Sequence, residues 1–421
     1  MRPTTTRFGE RMTRQTGALE LMDDLGSAFA RADAESLHLL GGGNPARIDA
    51  VEAAYRRRLQ EIAADVVQFG RFAGTYAAPG GDLGFRAAVA ETLSRTYGWP
   101  LTARNVGLAS GSQSAFFFLF NLFAGECAGA ARKRILLPLA PEYIGYADLG
   151  LGADMLVSQP ALVEEFDDGC FKYHIDFDAL RVSADVGAIC VSRPTNPSGN
   201  VLTEVELQRL DALARAHDVP LIVDAAYGLP FPAIQYAHPG ALWNPNVVLC
   251  LSLSKLGLPA LRTGIVVADE TVVEALTAFN ATASLAPGSA GPVIVDPLLR
   301  SGELARLCDE VIRPHYQERC ALAMEALRES CADLPLRIHR PEGAFFLWLR
   351  FPGLPIPSAE LYRRLKARGV YVLSGHHFFP GLPEDTPHRH ECVRLSYAQP
   401  VERVRSGVAI LADEVRRAYG R

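Results

Sequence analysis

Between residues 105 and 270, short runs of Val, Ile and Leu without polar alternation recur, and longer stretches with helical spacing separate them. The short runs read as strands covered on both faces, the longer stretches as amphipathic helices. The predicted strands are Asn105–Ala109, Arg134–Leu139, Ala188–Ser192, Leu221–Asp224, Val247–Leu253 and Thr263–Ala268. A helix is predicted to begin at Thr203, because Thr203-Glu204-Val205-Glu206 can close a capping box. This rhythm predicts an α/β layer on a mainly parallel sheet.

Beyond the break Ala286-Pro287-Gly288 the pattern changes. A long helical pattern runs through Arg313 to Cys331. A strand (GAFFLWLRF), a helix (SAELYRRLKARG), a second strand (VYVLSG) and a last helix (VERVRSGVAILADEVRRAYG) follow. They predict a smaller α+β domain. The expected division is an N-terminal arm with part of the small domain at 1–60, a large α/β domain at 61–310 and the small domain at 311–421. Neither the first nor the last piece is a complete core alone, which is why they are paired.

Composition narrows the function classes. Half of the chain is apolar and its net charge is −5, as for a globular protein with a large core. Such a charge offers nothing to nucleic acid or to an anionic membrane. No apolar run is long enough to span a bilayer, since Asn121 and Glu126 interrupt the best candidate. The N-terminus lacks the apolar stretch of a secretory signal. The eight cysteines are scattered without a CxxC pair, which suits reduced residues of a cytoplasmic protein.

The chemistry concentrates at strand ends, where open α/β sheets bind ligands. In Ser252-Leu253-Ser254-Lys255, a lysine closes an apolar run, and Arg262 follows. A lysine there is costly without a partner or a task, and burial turns its amine into a nucleophile. Ser252 and Arg262 offer the hydroxyl and the cationic fork that suit a phosphate. Together these residues predict a phosphorylated aldehyde held by Lys255 as a Schiff base: pyridoxal phosphate. Gly111-Ser112-Gln113 opens a helix whose free N–H groups suit the same phosphate. Tyr143, after ILLPLA, suits stacking on a ring. Asn196 sits in a rigid turn between Pro194 and Pro197. Asp224 ends a strand of Leu, Ile and Val, where a protonated ring nitrogen would pair with it. Tyr227 follows three residues later. Each signal alone has an ordinary reading, such as a helix cap, a core tyrosine or an Asx turn. Their joint occurrence in one α/β unit is what points to a site. Arg394, in the apolar strand CVRLSY, is read as a fork for a substrate carboxylate or as one half of a structural ion pair.

The segments RPTNPSGN, DAAY and SLSK…LRTG resemble the motifs of the fold-type-I, pyridoxal-phosphate-dependent aminotransferases, and the resemblance covers almost the whole chain. Longer stretches, among them LLGGGNPA, GSQSAFFFLFNLFAG and GHHFFPGL, resemble the branch of that family that exchanges valine and pyruvate. The resemblance implies an α/β fold with a large and a small domain. It implies a transaminase that moves an amino group between L-valine or alanine and 2-oxo acids. It casts Lys255 as the covalent attachment and proton carrier, Asp224 as partner of the ring nitrogen, and Asn196 and Tyr227 as partners of the ring oxygen. Tyr143 would stack on the ring, and Ser112, Gln113, Ser252 and Arg262 would hold the phosphate. Tyr76 would reach that phosphate from the neighbouring subunit of a homodimer. Gly43 and Arg394 would receive the substrate carboxylate.

Three other enzyme or binding classes compete for the same residues. A C–S β-lyase would share the chemical core. A cofactor-binding regulator would need a DNA-binding domain, and the segment before Gly41 is too short for one. No G-x-G-x-x-G follows a strand, which speaks against a nicotinamide dehydrogenase. His376, His377, His388 and His390 are read as part of a loop near the substrate rather than a metal site, because no recognised ligand spacing accompanies them.

Overall fold

The computed structural model describes residues 5–13, 19, 22–24, 26–27, 36–128, 130–152, 154–238 and 240–421. Its large sheet has eight strands. Leu221–Asp224 runs parallel to Val186–Ser192 on one side and to Val247–Ser252 on the other. Ala130–Ala140 extends the parallel set beyond Val186–Ser192. Gly264–Val267 is antiparallel to both Val247–Ser252 and Val106–Ala109, which makes the sheet mixed but mainly parallel. The strands Val106–Ala109, Leu221–Asp224, Val247–Ser252 and Gly264–Val267 are buried along their whole length, as their unbroken apolar runs require.

Register does the work of assembly. Asp224 lies level with Ser192 on one neighbour and with Cys250 on the other. Ser252 pairs with Gly264, and Gly264 pairs with Ala109. The ends of five strands are therefore brought to one edge of the sheet, and the turns that leave them share one space. The Glu204–Ala216 helix starts where expected: Thr203 and Glu206 close the capping box.

The second sheet joins Leu373–Ser374, Cys392–Ser396, Phe346–Arg350, Arg337–His339, Cys170–His174 and Leu162–Glu165 in that order. Its last two strands come from the middle of the chain, and the hydropathy pattern does not announce them. Leu162–Glu165 is exposed throughout and carries no apolar stripe. His38–Leu39 pairs with Val370–Tyr371 and ties the N-terminal segment to the C-terminal third. The predicted strand GAFFLWLRF is shorter than its apolar run. Ala344 has φ +58°, and a Cβ at Gly343 would lie 2.4 Å from Pro194 Cγ. The backbone bends there to lie against the Asn196 turn, so pairing begins only at Phe346. Trp348 in that strand is fully buried, its indole donating to Tyr173 Oη at 2.8 Å.

Of the cysteines, Cys127 is exposed and the others are buried, all with free thiols. Among the described residues no helix is long and apolar enough to cross a membrane, and no cluster of three potential metal ligands occurs. The histidine-rich stretch is engaged internally: His388 meets Tyr173 Oη at 2.5 Å and His390 meets Asp385 at 2.5 Å.

Candidate active site

A pocket of about 240 Å³ opens at the carboxyl edge of the large sheet. Gly43, Ser112, Gln113, Tyr143, Asn196, Asp224, Tyr227, Ser252, Lys255, Arg262 and Arg394 all line it. Tyr76 does not. It stands 83% exposed on the surface of its own chain.

Lys255 sits on the one-turn helix Ser254–Leu256, directly after the Val247–Ser252 strand. Its Nζ donates to the Gly43 carbonyl at 2.8 Å and lies 5.2 Å from the centre of the Tyr227 ring. The chain's other lysines are otherwise engaged. Lys172 is paired with Glu342, Lys366 with Asp24, and Lys133 donates to the Ala184 carbonyl. Among the described residues no carboxylate lies within ion-pair distance of Lys255. Burial, with Arg394 nearby, pulls its amine from an ordinary 10.5 down to about 8, against the attraction of Asp224. That shift makes roughly 300-fold more neutral amine at pH 7. In the cofactor-free protein, acylation of Lys255 by a small uncharged reagent, mapped by mass spectrometry, is expected to rise with a midpoint near pH 8. A midpoint at the ordinary lysine value would contradict this environment.

Asp224 is buried at the end of its strand. Its Oδ2 accepts from Tyr146 Oη at 2.8 Å and its Oδ1 from the Ala226 N–H at 2.9 Å. Burial raises its carboxyl pKa, while these donors and Lys255 oppose the rise. A buried carboxylate with two neutral donors and no cation in contact is an incomplete arrangement. Tyr146 is fully buried, and its hydroxyl is the residue the sequence reading missed. Its place three positions after Tyr143 in PEYIGY is no signal by itself, since its partner Asp224 lies 78 positions away in the chain. The two rings meet edge-to-face, 5.2 Å apart.

Arg394 is buried in the Cys392–Ser396 strand and faces the pocket. Its guanidinium donates to Asn196 Oδ1 and to the Gly41 carbonyl, both at 2.6 Å, and lies 4.0 Å from the Phe346 ring centre. Its Nε has no partner, and no carboxylate pairs with it among the described residues. Burial pulls its pKa down to about 10.

The opposite end of the pocket is shaped for close approach. Gly111 has φ +88° and caps the Ser112–Phe123 helix. A Cβ there would lie 2.2 Å from Arg262 Nη2, so only glycine leaves the guanidinium its place over the helix start. Arg262 itself holds a left-handed backbone, φ +47°. Ser252 Oγ accepts from the Ser254 N–H, and Ser112 Oγ donates to the Leu251 carbonyl. A helix N-terminus, hydroxyls and a guanidinium together form a cradle for an anion. Phosphate cradle, aromatic wall, uncompensated carboxylate and low-pKa amine in one pocket fit the phosphorylated pyridine aldehyde that the sequence points to.

The chain matches the family model for aminotransferase class I and II over residues 43–410. It is 45% identical to a valine–pyruvate aminotransferase of Escherichia coli (strain K12), over 99% of both chains. It is also similar to the crystal structure of a valine–pyruvate aminotransferase from Salmonella typhimurium LT2. The TM-score is 0.88 and the identity 44%, with 96% of this chain and 99% of that one covered. A Thermus thermophilus aspartate aminotransferase variant shares the fold at 22% identity, with a TM-score of 0.76 over 98% of this chain and 100% of that one.

Proposed function

This chain belongs to the class I and II aminotransferases, and from that premise we propose that it exchanges the amino group of L-valine with pyruvate, giving 3-methyl-2-oxobutanoate and L-alanine. The observation that carries this substrate class is the pocket's inventory of cations. Among the described residues, Lys255, Arg262 and Arg394 are the basic side chains that line it. The first is the attachment point, the second serves the phosphate, and Arg394 remains for a single substrate carboxylate. Met22, Phe116 and Ile144 supply apolar lining for a short aliphatic side chain. A second carboxylate, as in aspartate, would have no counter-charge from these residues.

In this reading pyridoxal phosphate is held by residues already in place. Lys255 would bond it, Asp224 would pair with its ring nitrogen, and Tyr143 would cover its ring. Asn196 and Tyr227 meet the ring oxygen. Asn196 does so through Nδ2, because Arg394 occupies its Oδ1. Ser112, Gln113, Ser252 and Arg262 hold the phosphate. The bound cofactor supplies an electron-withdrawing ring next to the amino acid's Cα. Arg394 and Gly43 fix the substrate carboxylate, which orients the Cα–H bond. Lys255, as a neutral amine beside the substrate, would take up and hold the Cα proton. Pyruvate then runs the same steps in reverse, so the kinetics are ping-pong.

Tyr76 belongs to the same proposal as a phosphate ligand supplied to a second copy in a homodimer. Its exposure supports this, as does the exposed apolar surface of Val66 (88%) and Val67 (73%) in the preceding segment. A cytoplasmic location fits the free, mostly buried thiols.

The test is a substrate panel with the purified, cofactor-loaded protein. Valine and pyruvate are expected to give alanine and the branched 2-oxo acid one for one, with aspartate at least about 100-fold poorer in kcat/KM. Equal or better use of aspartate would contradict the specificity. Continued release of 2-oxo acid well beyond one equivalent of enzyme, with no second oxo acid present, would indicate elimination instead.

A further inference from the structure

Glu142 is completely buried, and no basic side chain pairs with it among the described residues. A carboxylate in that setting costs several kcal/mol unless strong donors offset the loss of water. Three do so here, all from two residues of the site. The Tyr143 N–H donates to Oε1 at 2.9 Å, the Ser192 N–H donates to Oε2 at 2.8 Å, and the Ser192 hydroxyl donates to Oε1. The Glu142 N–H in turn donates to the Phe378 carbonyl at 2.8 Å.

Two of those partners, Tyr143 and Ser192, line the pocket, and the third, Phe378, lies beside Arg394. Tyr143 is the aromatic face. Ser192 ends its strand level with Asp224 and opens the turn that carries Asn196. The Phe378 ring lies 5.4 Å from the Arg394 guanidinium carbon. Glu142 touches none of the atoms that would react, yet it joins the stacking residue to the strand end that faces it. Burial pushes its carboxyl up to about 7, with Asp224 adding to the rise and the Ser192 and Tyr143 donors opposing it. The fold could fill this position with an apolar side chain at lower desolvation cost.

We propose that Glu142 is a positioning residue that fixes the gap between Tyr143 and the Ser192–Asn196 turn, and so the slot into which the cofactor ring fits. The inference rests on the cofactor assignment above. Glutamine in its place offers one good acceptor atom and turns the other into a donor facing an N–H group. Alanine leaves all three donors without a partner.

The experiment compares wild type, Glu142→Gln and Glu142→Ala, each prepared without cofactor and titrated with pyridoxal phosphate. Three quantities are read: the dissociation constant, the visible circular dichroism of the bound cofactor and the melting temperature of the cofactor-free protein. The alanine variant is expected to bind at least about tenfold more weakly, with a diminished dichroic band, and the glutamine variant to fall between. The cofactor-free melting temperatures should stay within a few degrees of wild type. Binding within twofold of wild type with an unchanged band would overturn the proposal. So would weaker binding that merely tracks a large fall in melting temperature. If Glu142→Ala does not fold, Ser192→Ala removes the hydroxyl contact alone and is expected to weaken binding about threefold. An unchanged constant there would overturn the proposal too. A wild-type protein that fails to bind the cofactor would take down the assignment of the site itself, whereas a variant that binds normally refutes only the role of Glu142.

Discussion

Lys255→Ala abolishes transamination, with kcat reduced by at least about 10⁴-fold, while the protein still folds. Two losses combine. The covalent attachment disappears, and so does the amine that takes up the Cα proton. General acid–base catalysis alone contributes about 10²–10⁴-fold. No neighbouring group can take over, because Lys172 and Lys366 are committed to Glu342 and Asp24. The side chain is half-buried with a depressed pKa, so its removal also relieves a desolvated amine, and stability is expected to change little. The check is a single-turnover assay with valine, alongside the visible absorbance of the bound cofactor. Turnover within tenfold of wild type would remove Lys255 from the reaction.

Asp224→Asn has the second-largest effect, a fall in kcat of about 10³-fold. The side chain keeps its size and can still meet Tyr146 or the Ala226 N–H, so the loss isolates the charge. At about 4 Å and an effective dielectric near 20, the carboxylate and a ring-nitrogen cation attract by about 4 kcal/mol. At about 1.36 kcal/mol per tenfold, that is three decades in rate if the charge is needed throughout the step. Asp224→Glu retains the charge but shifts it by one methylene, and is expected to recover part of the loss. Steady-state kcat at saturating cofactor measures both variants. Asparagine within tenfold of wild type would show that the charge at 224 does not drive the chemistry.

The sheet that builds this site was legible because its strands are covered on both faces. Leu221–Asp224 and Val247–Ser252 announce themselves as unbroken apolar runs, and a polar residue at the end of such a run stands out. The capping box at Thr203 was readable because it is purely local. Leu162–Glu165 was not readable: an exposed edge strand has no apolar stripe, and its partner, Cys170–His174, is fixed by long-range pairing. The early bend at Ala344 depends on contact with Pro194, 150 positions away in the chain. Within the pocket, residues with distinctive chemistry at strand ends, such as Lys255, Asp224 and Arg262, could be named in advance. Tyr146 and Glu142 could not. Each acts through a neighbour whose identity only the folded chain reveals, and a buried tyrosine or a glutamate beside a proline carries no signal by itself. Arg394 lies between these cases: its apolar strand marks it, and the fold adds that none of the described carboxylates pairs with it.

The central claim is that the amine of Lys255 bonds the cofactor. The direct measurement is reduction of the cofactor-loaded protein with borohydride, followed by peptide mapping. The account predicts one pyridoxyl phosphate adduct, on the peptide containing Lys255. An adduct on Lys133, Lys172 or Lys366 instead, or no adduct at all, would contradict it.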